Sequence, residues 1–153
     1  MKKIEGARRA DGFHFAIVAS RYNPEIVDGL IKGALEALRG AGAESKDVVL
    51  IRTPGAFEIP LAAKHAASSG RYDAVIAIGC VIRGETPHFE YISREASRGI
   101  GEAGLAAGVP VTFGVLTAET EDQAIARSGP GPQNRGYEAA MAAIEMVNLL
   151  RQI

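Results

Sequence analysis

Four short apolar runs, each separated from the next by a longer helical pattern, constrain this chain more than any other feature. Residues 13–19 (FHFAIVA), 48–51, 74–78 and 111–116 read as strands. They are continuous Val/Ile/Ala runs rather than period-2 alternations, which suits parallel strands covered on both faces. Helices fill the gaps. Asn23 can cap a helix whose first position is Pro24, with Glu25 near the positive end of the dipole. Ile26, Leu30, Ala34 and Leu38 recur every fourth residue along it as one apolar stripe. A second helix is expected to open at Pro60 and end near Ser69-Gly70. Further helices are expected over 89–107, 120–128 and 137–152.

Strand–helix alternation with right-handed crossovers predicts an α/β chain, a three-layer, flavodoxin-like α/β/α sandwich around a four-stranded, mainly parallel sheet. No linker, repeat or low-complexity tract divides residues 1–153, so one domain is expected, with residues 1–12 as an extended N-terminal arm. A hydrophobic content of 47% supplies its core. With 17 basic and 18 acidic residues, the chain lacks the positive field that nucleic acid or an anionic membrane would require. The apolar stretches stop well short of the roughly 20 residues of a membrane span. The start, MKKIEGARRADG, has positive charges but no apolar core behind them, so it does not read as a signal peptide. A single Cys fits a reducing cytoplasm, where the chain is expected. Ala139, Ala140, Met141, Ala142, Ala143, Ile144, Met146, Val147, Leu149 and Leu150 leave the last helix apolar nearly all round. Such a helix is either the core of a compact monomer or is covered on its second side by a partner subunit.

Two glycine patterns mislead. Gly99, Gly101 and Gly104 match the dinucleotide fingerprint by letter, but the residues before them are helical in pattern instead of a strand. Close approach of this helix to a neighbouring backbone is the better use for them. Gly79 to Thr86 has the glycine spacing of a P-loop, with Glu85 where the phosphate-reaching lysine must stand. A carboxylate there repels a triphosphate, so nucleotide hydrolysis is rejected. What survives is a strand running into a loop that opens a helix.

Ligands of open α/β sheets bind outside the carboxyl ends of the strands. Four segments fall there: Ser20-Arg21-Tyr22-Asn23, the run from Pro54 to Pro60, the run from Gly84 to Phe89, and the strand holding Phe113. His88 is the acid–base candidate, because histidine titrates near neutrality; a satisfied polar residue at a helix start is the alternative. His14 and His65 read as structural. The backbone amides of Glu85 and Thr86 precede a helix and so offer an anion site. Arg127 either supplies a guanidinium to the same anion or completes a helix C-terminus. Glu58 likewise suits the first turn of a helix. Tyr22 and Phe113 can stack on a heterocycle, although a strand Phe is commonly core. Cys80, beside His88 in sequence, invites a thiol nucleophile, but at the end of an apolar strand it fits a small hydrophobe better.

The order of these segments is specific. Arg21-Tyr22-Asn23, then PGAFEIP from Pro54 to Pro60, then VIRGETPHF from Val81 to Phe89, then Phe113 to Thr117, then Asn134-Arg135-Gly136 leading into Tyr137 to Ala140 resemble the lumazine synthase family from Phe13 onward. The resemblance implies riboflavin biosynthesis, in which 5-amino-6-ribitylaminouracil condenses with 3,4-dihydroxy-2-butanone 4-phosphate to 6,7-dimethyl-8-ribityllumazine. No metal or organic cofactor is implied. Tyr22 and Phe113 would flank the pyrimidine. Ala56, Phe57 and Glu58 would hold the ribityl-uracil, together with the backbone of Cys80, Val81 and Ile82. Glu85 and Thr86 would give amides to the phosphate, with Arg127 as its counter-charge. His88 would shuttle protons, with Glu138 as a polar partner and Arg135 nearby. The family assembles as homopentamers, some stacking into decamers or sixty-subunit icosahedral shells, so Phe113 and Arg127 are expected from the adjacent subunit. Riboflavin synthase is an expected protein partner. Position 22 is more familiar in the family as Phe or Trp, and position 135 as Lys. A non-catalytic flavin- or lumazine-binding protein, or a shell scaffold, on the same fold is the alternative. Such a binder would not need His88 together with Arg127.

Overall fold

The four apolar runs become β1 (Phe15–Ser20), β2 (Val48–Thr53), β3 (Ala74–Ile82) and β4 (Val111–Ala118) in a computed structural model that describes residues 1–153. All pair in parallel, in the order β2-β1-β3-β4. Every residue of β1 is buried, as a central strand of Val, Ile and Ala covered on two faces should be. β2 and β4 are the edges.

Five helices fill the two outer layers: α1 (Pro24–Gly40), α2 (Ile59–Ser68), α3 (His88–Ala107), α4 (Glu121–Ala126) and α5 (Arg135–Leu150). On one face Leu30, Ala34 and Leu38 of α1 and Ala140, Ala143 and Ile144 of α5 close over Phe15, Ile17, Ile76 and Ile78. On the other, Ile59 and Ala63 of α2 and Ile100 and Ala103 of α3 close over Ala16, Val18, Val75 and Ala77. These are the three layers expected. The sheet is parallel throughout. No helix of the chain is long and apolar enough to cross a membrane.

Several local expectations are corrected. β3 runs on to Ile82 instead of stopping at Ile78, because Gly79 is a packing position and not the start of a turn. A Cβ there would lie 3.0 Å from both Ile59 Cδ1 and Ser20 Oγ. Cys80, Val81 and Ile82 are therefore strand residues paired with Leu116, Thr117 and Ala118. α2 starts at Ile59, with a 3-10 turn (Ala56–Glu58) in front of it, so Glu58 lies just ahead of the helix. α4 is confined to Glu121–Ala126, with Thr120 Oγ1 accepting from the Gln123 amide at 3.3 Å as its cap. Asn23 stands at the N-terminus of α1 in the left-handed region (φ 52°) with no capping bond from its side chain. Gly99, Gly101 and Gly104 lie inside α3, and a Cβ on Gly99 would meet Pro60 Cβ at 2.6 Å. The dinucleotide match is thus accidental, and Gly99 is what lets α3 pass close to α2.

The N-terminal arm supplies part of the second cover for α5. Gln152 Nε2 donates to the Glu5 carbonyl and Asn148 Nδ2 to that of Arg9, both at 2.8 Å. Arg8 pairs with Glu145 at 2.7 Å, and a Cβ on Gly6 would collide with the Glu145 carbonyl. Met146 and Leu150 of α5 remain exposed.

Candidate active site

Three strand ends build the first half of the site. Tyr22 and Asn23 follow β1, the stretch from Gly55 to Glu58 follows β2, and Cys80, Val81 and Ile82 end β3. With His88 and Ile92 of α3 they line one cavity of about 460 Å³. This is the crevice that a doubly wound sheet leaves beyond its carboxyl edge. Tyr22 and Phe57 are exposed aromatic faces, 73% and 56% accessible, so both are free to meet a ring.

Hydrogen bonds fix the walls. Thr53 is buried, and its Oγ1 donates to the Gly55 carbonyl at 3.0 Å. The Glu58 carboxylate accepts from the Gly55 amide at 2.9 Å, which curls the PGAFE segment into its tight turn. Asn23, freed from capping, sends Nδ2 to the Cys80 carbonyl at 3.0 Å and so ties the end of β1 to the end of β3. Cys80 is only 2% accessible, and burial pushes its thiol up to about 11. A thiol held neutral in that way is a poor nucleophile, and the hydrophobe reading of Cys80 stands.

Between the lining residues Ile82 and His88 runs an exposed five-residue loop, Arg83 to Pro87. Its Gly84, Glu85 and Thr86 amides find no acceptor within the chain. They lead into the N-terminus of α3, whose first residue is His88, so unpaired donors lie beside the positive end of the helix dipole. The arrangement suits an anion.

The remaining candidates lie elsewhere. Phe113, Arg127, Arg135 and Glu138 line a second cavity, of about 560 Å³, along the free edge of β4. Phe113 is 47% accessible, so it is not a core residue. Arg127 Nη1 donates to the Gln123 carbonyl at 2.9 Å, which is the helix-terminal role weighed for it. It has no carboxylate partner, however, and its charge is available to an anion. Arg135 pairs with Glu138 one turn along α5, so within one chain Glu138 is the partner of Arg135 and not of His88.

Two contributors were not anticipated. Asn134 is 1% accessible and knots the second half together. Its Nδ2 donates to the carbonyls of Gly29 (3.0 Å) and Gly129 (2.9 Å), and its Oδ1 accepts from the amides of Gly136 (2.8 Å) and Tyr137 (3.1 Å). The adjacent Arg135 amide donates to the Arg127 carbonyl at 2.9 Å, which sets the two arginines side by side. Arg83 is the other, and it holds the loop described above. Asn134 had a local signal, Asn before a helix, whereas Arg83 had none.

Fold and cavities together define an α/β protein with a small-molecule site at the carboxyl edge of a parallel sheet and an anion-ready helix N-terminus beside it. Residues 12–151 match the profile of 6,7-dimethyl-8-ribityllumazine synthase. The chain is 56% identical over 149 residues to the 6,7-dimethyl-8-ribityllumazine synthase of Syntrophus aciditrophicus (strain SB), covering 97% of each chain. It is 53% identical over 152 residues to the protein of that name from Chlorobium phaeobacteroides, covering 99% of this chain and 98% of the relative. The Desulfatibacillum aliphaticivorans protein of the same name is 51% identical over 151 residues, covering 99% and 97%. The chain belongs to the 6,7-dimethyl-8-ribityllumazine synthase family.

Proposed function

We propose that this chain performs the family's transferase reaction in riboflavin biosynthesis, joining 5-amino-6-ribitylaminouracil to 3,4-dihydroxy-2-butanone 4-phosphate. The observation that carries the reading is one cavity gathering Tyr22, the Ala56–Glu58 turn, the end of β3 and His88, with unpaired amides between Ile82 and His88. An aromatic wall for a pyrimidine, backbone edges for its polar rim, a proton carrier and an anion cradle are what two such substrates need in one place.

The chemistry follows from those groups. The 5-amino group adds to the ketone carbonyl, and loss of one water gives an imine. Elimination then breaks the C–O bond to the phosphate and releases orthophosphate. Closure of the second ring through the ribityl-bearing nitrogen expels a second water. Each stage moves a proton, and His88 at the cavity wall accepts and returns them. Glu85 and Thr86 amides hold the phosphate at the α3 N-terminus while the bond to it breaks. Tyr22 stacks on the pyrimidine, whose ribityl-uracil polar groups meet Ala56, Phe57, Glu58 and the backbone of Cys80, Val81 and Ile82. Much of the acceleration comes from holding two reactants in register, worth up to about 7–11 kcal/mol in favourable cases. No metal or organic cofactor is needed for any of these steps.

Phe113, Arg127, Arg135 and Glu138 complete the site from a neighbouring copy. Phe113 on β4, Arg127 just after α4, and Arg135 and Glu138 on α5 line a cavity separate from that of His88, so the two halves are presented to different neighbours. Repetition of such a head-to-tail contact closes into a ring. We assign a pentamer, with decamers or sixty-subunit shells as further stages, in the cytoplasm and with riboflavin synthase as a partner. Phe113 then covers the second face of the pyrimidine and Arg127 neutralises the phosphate. The Tyr22 hydroxyl is a departure that adds a polar group beside the stacked ring. A pure binding protein would not require His88 together with Arg127.

The test is a coupled assay on purified protein with both substrates and a chelator, following lumazine fluorescence and phosphate release together. Stoichiometric appearance of both products is expected. Tight binding of the ribityl-uracil without either product would overturn catalysis in favour of the binding protein.

A further inference from the structure

We infer that Arg83 is a positioning residue for the phosphate, acting by stapling the Arg83–Pro87 loop shut. This rests on the reading that the Glu85 and Thr86 amides receive the phosphate. Nothing inside that loop holds it. Its last anchored amide at the start is that of Arg83 itself, bonded to the Ala118 carbonyl at 2.9 Å. The next is that of Glu90, bonded to the Pro87 carbonyl at 3.0 Å. Gly84 adds freedom, since its surroundings are open space.

The Arg83 side chain spans the gap from one end to the other. Its Nε donates to Glu119 Oε2 at 2.6 Å, which anchors it beyond the end of β4. Its Nη1 donates to Glu90 Oε1 at 3.3 Å, in the first turn of α3. Its guanidinium also lies over the Phe89 ring, 4.7 Å from the centroid. One planar group thus fixes entry and exit of the loop relative to each other, which sets the separation and aim of the amides between them. The Glu119 amide in turn donates to Gln123 Oε1 at 2.9 Å, so the same anchor is continuous with α4.

A staple of this kind acts on binding more than on stability. The three side chains are between 37% and 58% accessible, and exposed ion pairs add little to folding. What the staple supplies is preorganisation: an anion arriving at a loose loop must order it first. The single positive charge of Arg83 is already engaged by two carboxylates, so the guanidinium serves as a brace while the amides meet the ligand.

The experiment compares Arg83→Met, Arg83→Lys and Thr86→Pro with wild type in the assembled protein. It measures KM for each substrate, kcat, the inhibition constant of inorganic phosphate, and Tm. Arg83→Met is expected to raise KM for the butanone phosphate and the phosphate inhibition constant together by about tenfold, the scale of one hydrogen bond to a charged group. KM for the ribityl-uracil and Tm should stay at wild-type values. Arg83→Lys keeps the charge without the fork or the stacking plane, and should recover only part of the loss. Phosphate constants at wild-type level in Arg83→Met would overturn the inference, as would full recovery in Arg83→Lys, because charge alone would then suffice. Thr86→Pro deletes one cradle amide. If it weakens phosphate while Arg83→Met does not, the staple fails and the cradle stands. If it leaves phosphate untouched, the cradle itself is wrong and the staple falls with it.

Discussion

Replacing Asn134 with Ala, and separately with Asp, divides what this side chain does as a helix cap from what it does as a knot between α1, the segment after α4, and α5. Ala removes the cap of α5, a loss of about 1 kcal/mol. It also withdraws both donors from the half-buried carbonyls of Gly29 and Gly129, at about 1–3 kcal/mol each where an acceptor shielded from water loses a partner. The sum is about 3–7 kcal/mol. For a chain of this size each kcal/mol moves Tm by about 2–4 °C, so a fall of about 6 °C or more is expected. Asp is the sharper variant, since it caps helices as well as Asn does. It keeps the acceptor for the Gly136 and Tyr137 amides, yet it sets a carboxylate oxygen about 3 Å from two carbonyl oxygens in a site 1% accessible to solvent. Asn134→Asp should therefore be at least as unstable as Asn134→Ala at neutral pH. It should recover on acidification, when a protonated carboxyl can again donate. Thermal and urea unfolding, read by circular dichroism at one fixed protein concentration, give both values. A stability for Asn134→Asp within about 1 kcal/mol of wild type would refute the reasoning, because capping alone would then account for the residue.

Other outcomes follow from the same geometry. His88→Ala should slow turnover by about a hundredfold while leaving binding of the ribityl-uracil nearly unchanged, as measured by steady-state rates and titration; a wild-type rate would remove its proton-shuttling role. Cys80→Ser should keep turnover near wild type, whereas a thiol-dependent hydrolase would lose all activity. The Cys80 thiol, raised from 9.0 to about 11 by burial, should also resist disulfide reagents near neutral pH. Its sign in stability is set by linkage. The unfolded chain releases this proton from about pH 9 while the folded chain keeps it to about 11, so the stabilisation present below pH 9 is lost as pH rises through that window. The slope is about 1.4 kcal/mol per pH unit, and Cys80→Ser should flatten it in denaturation curves taken from pH 8 to 11.

The layers were legible because they rest on local signals. Continuous Val/Ile/Ala runs and the four-residue stripe of α1 need only their own residues to declare strand and helix. The stretch between Gly79 and Ile82 was misread because a glycine beside a loop motif looks like a turn, whereas its real constraint is Ile59 and Ser20 pressing from distant elements. Asn23 failed for a similar reason. A cap is a local bond, and the one it makes instead reaches Cys80, 57 positions away. Motif order grouped Tyr22, the Ala56–Glu58 turn, Cys80 to Ile82 and His88, which share one cavity, and set Phe113 and Arg127 apart from them; it did not set Arg135 and Glu138 apart, which line the second cavity. Phe113 stands apart from His88 because β4 is an edge strand, and Arg127, Arg135 and Glu138 line the same cavity from the end of α4 and from α5; strand order is a property of the assembled sheet. Arg83 is tied by its side chain to Glu119, 36 positions away, and to Phe89 and Glu90 across a loop, and no local periodicity announces that bridge.

The division of the site into two half-sites on different copies is the claim most open to direct attack. His88→Ala and Arg127→Ala proteins, each nearly inactive alone, would be mixed, dissociated and reassembled, and lumazine formation then measured. In randomly mixed rings about a quarter of sites should combine an intact His88 from one copy with an intact Arg127 from its neighbour, and activity should return to about that fraction of wild type. Mixed assemblies no more active than the average of the two single variants would contradict the account, since each chain would then have to supply both residues to the same site.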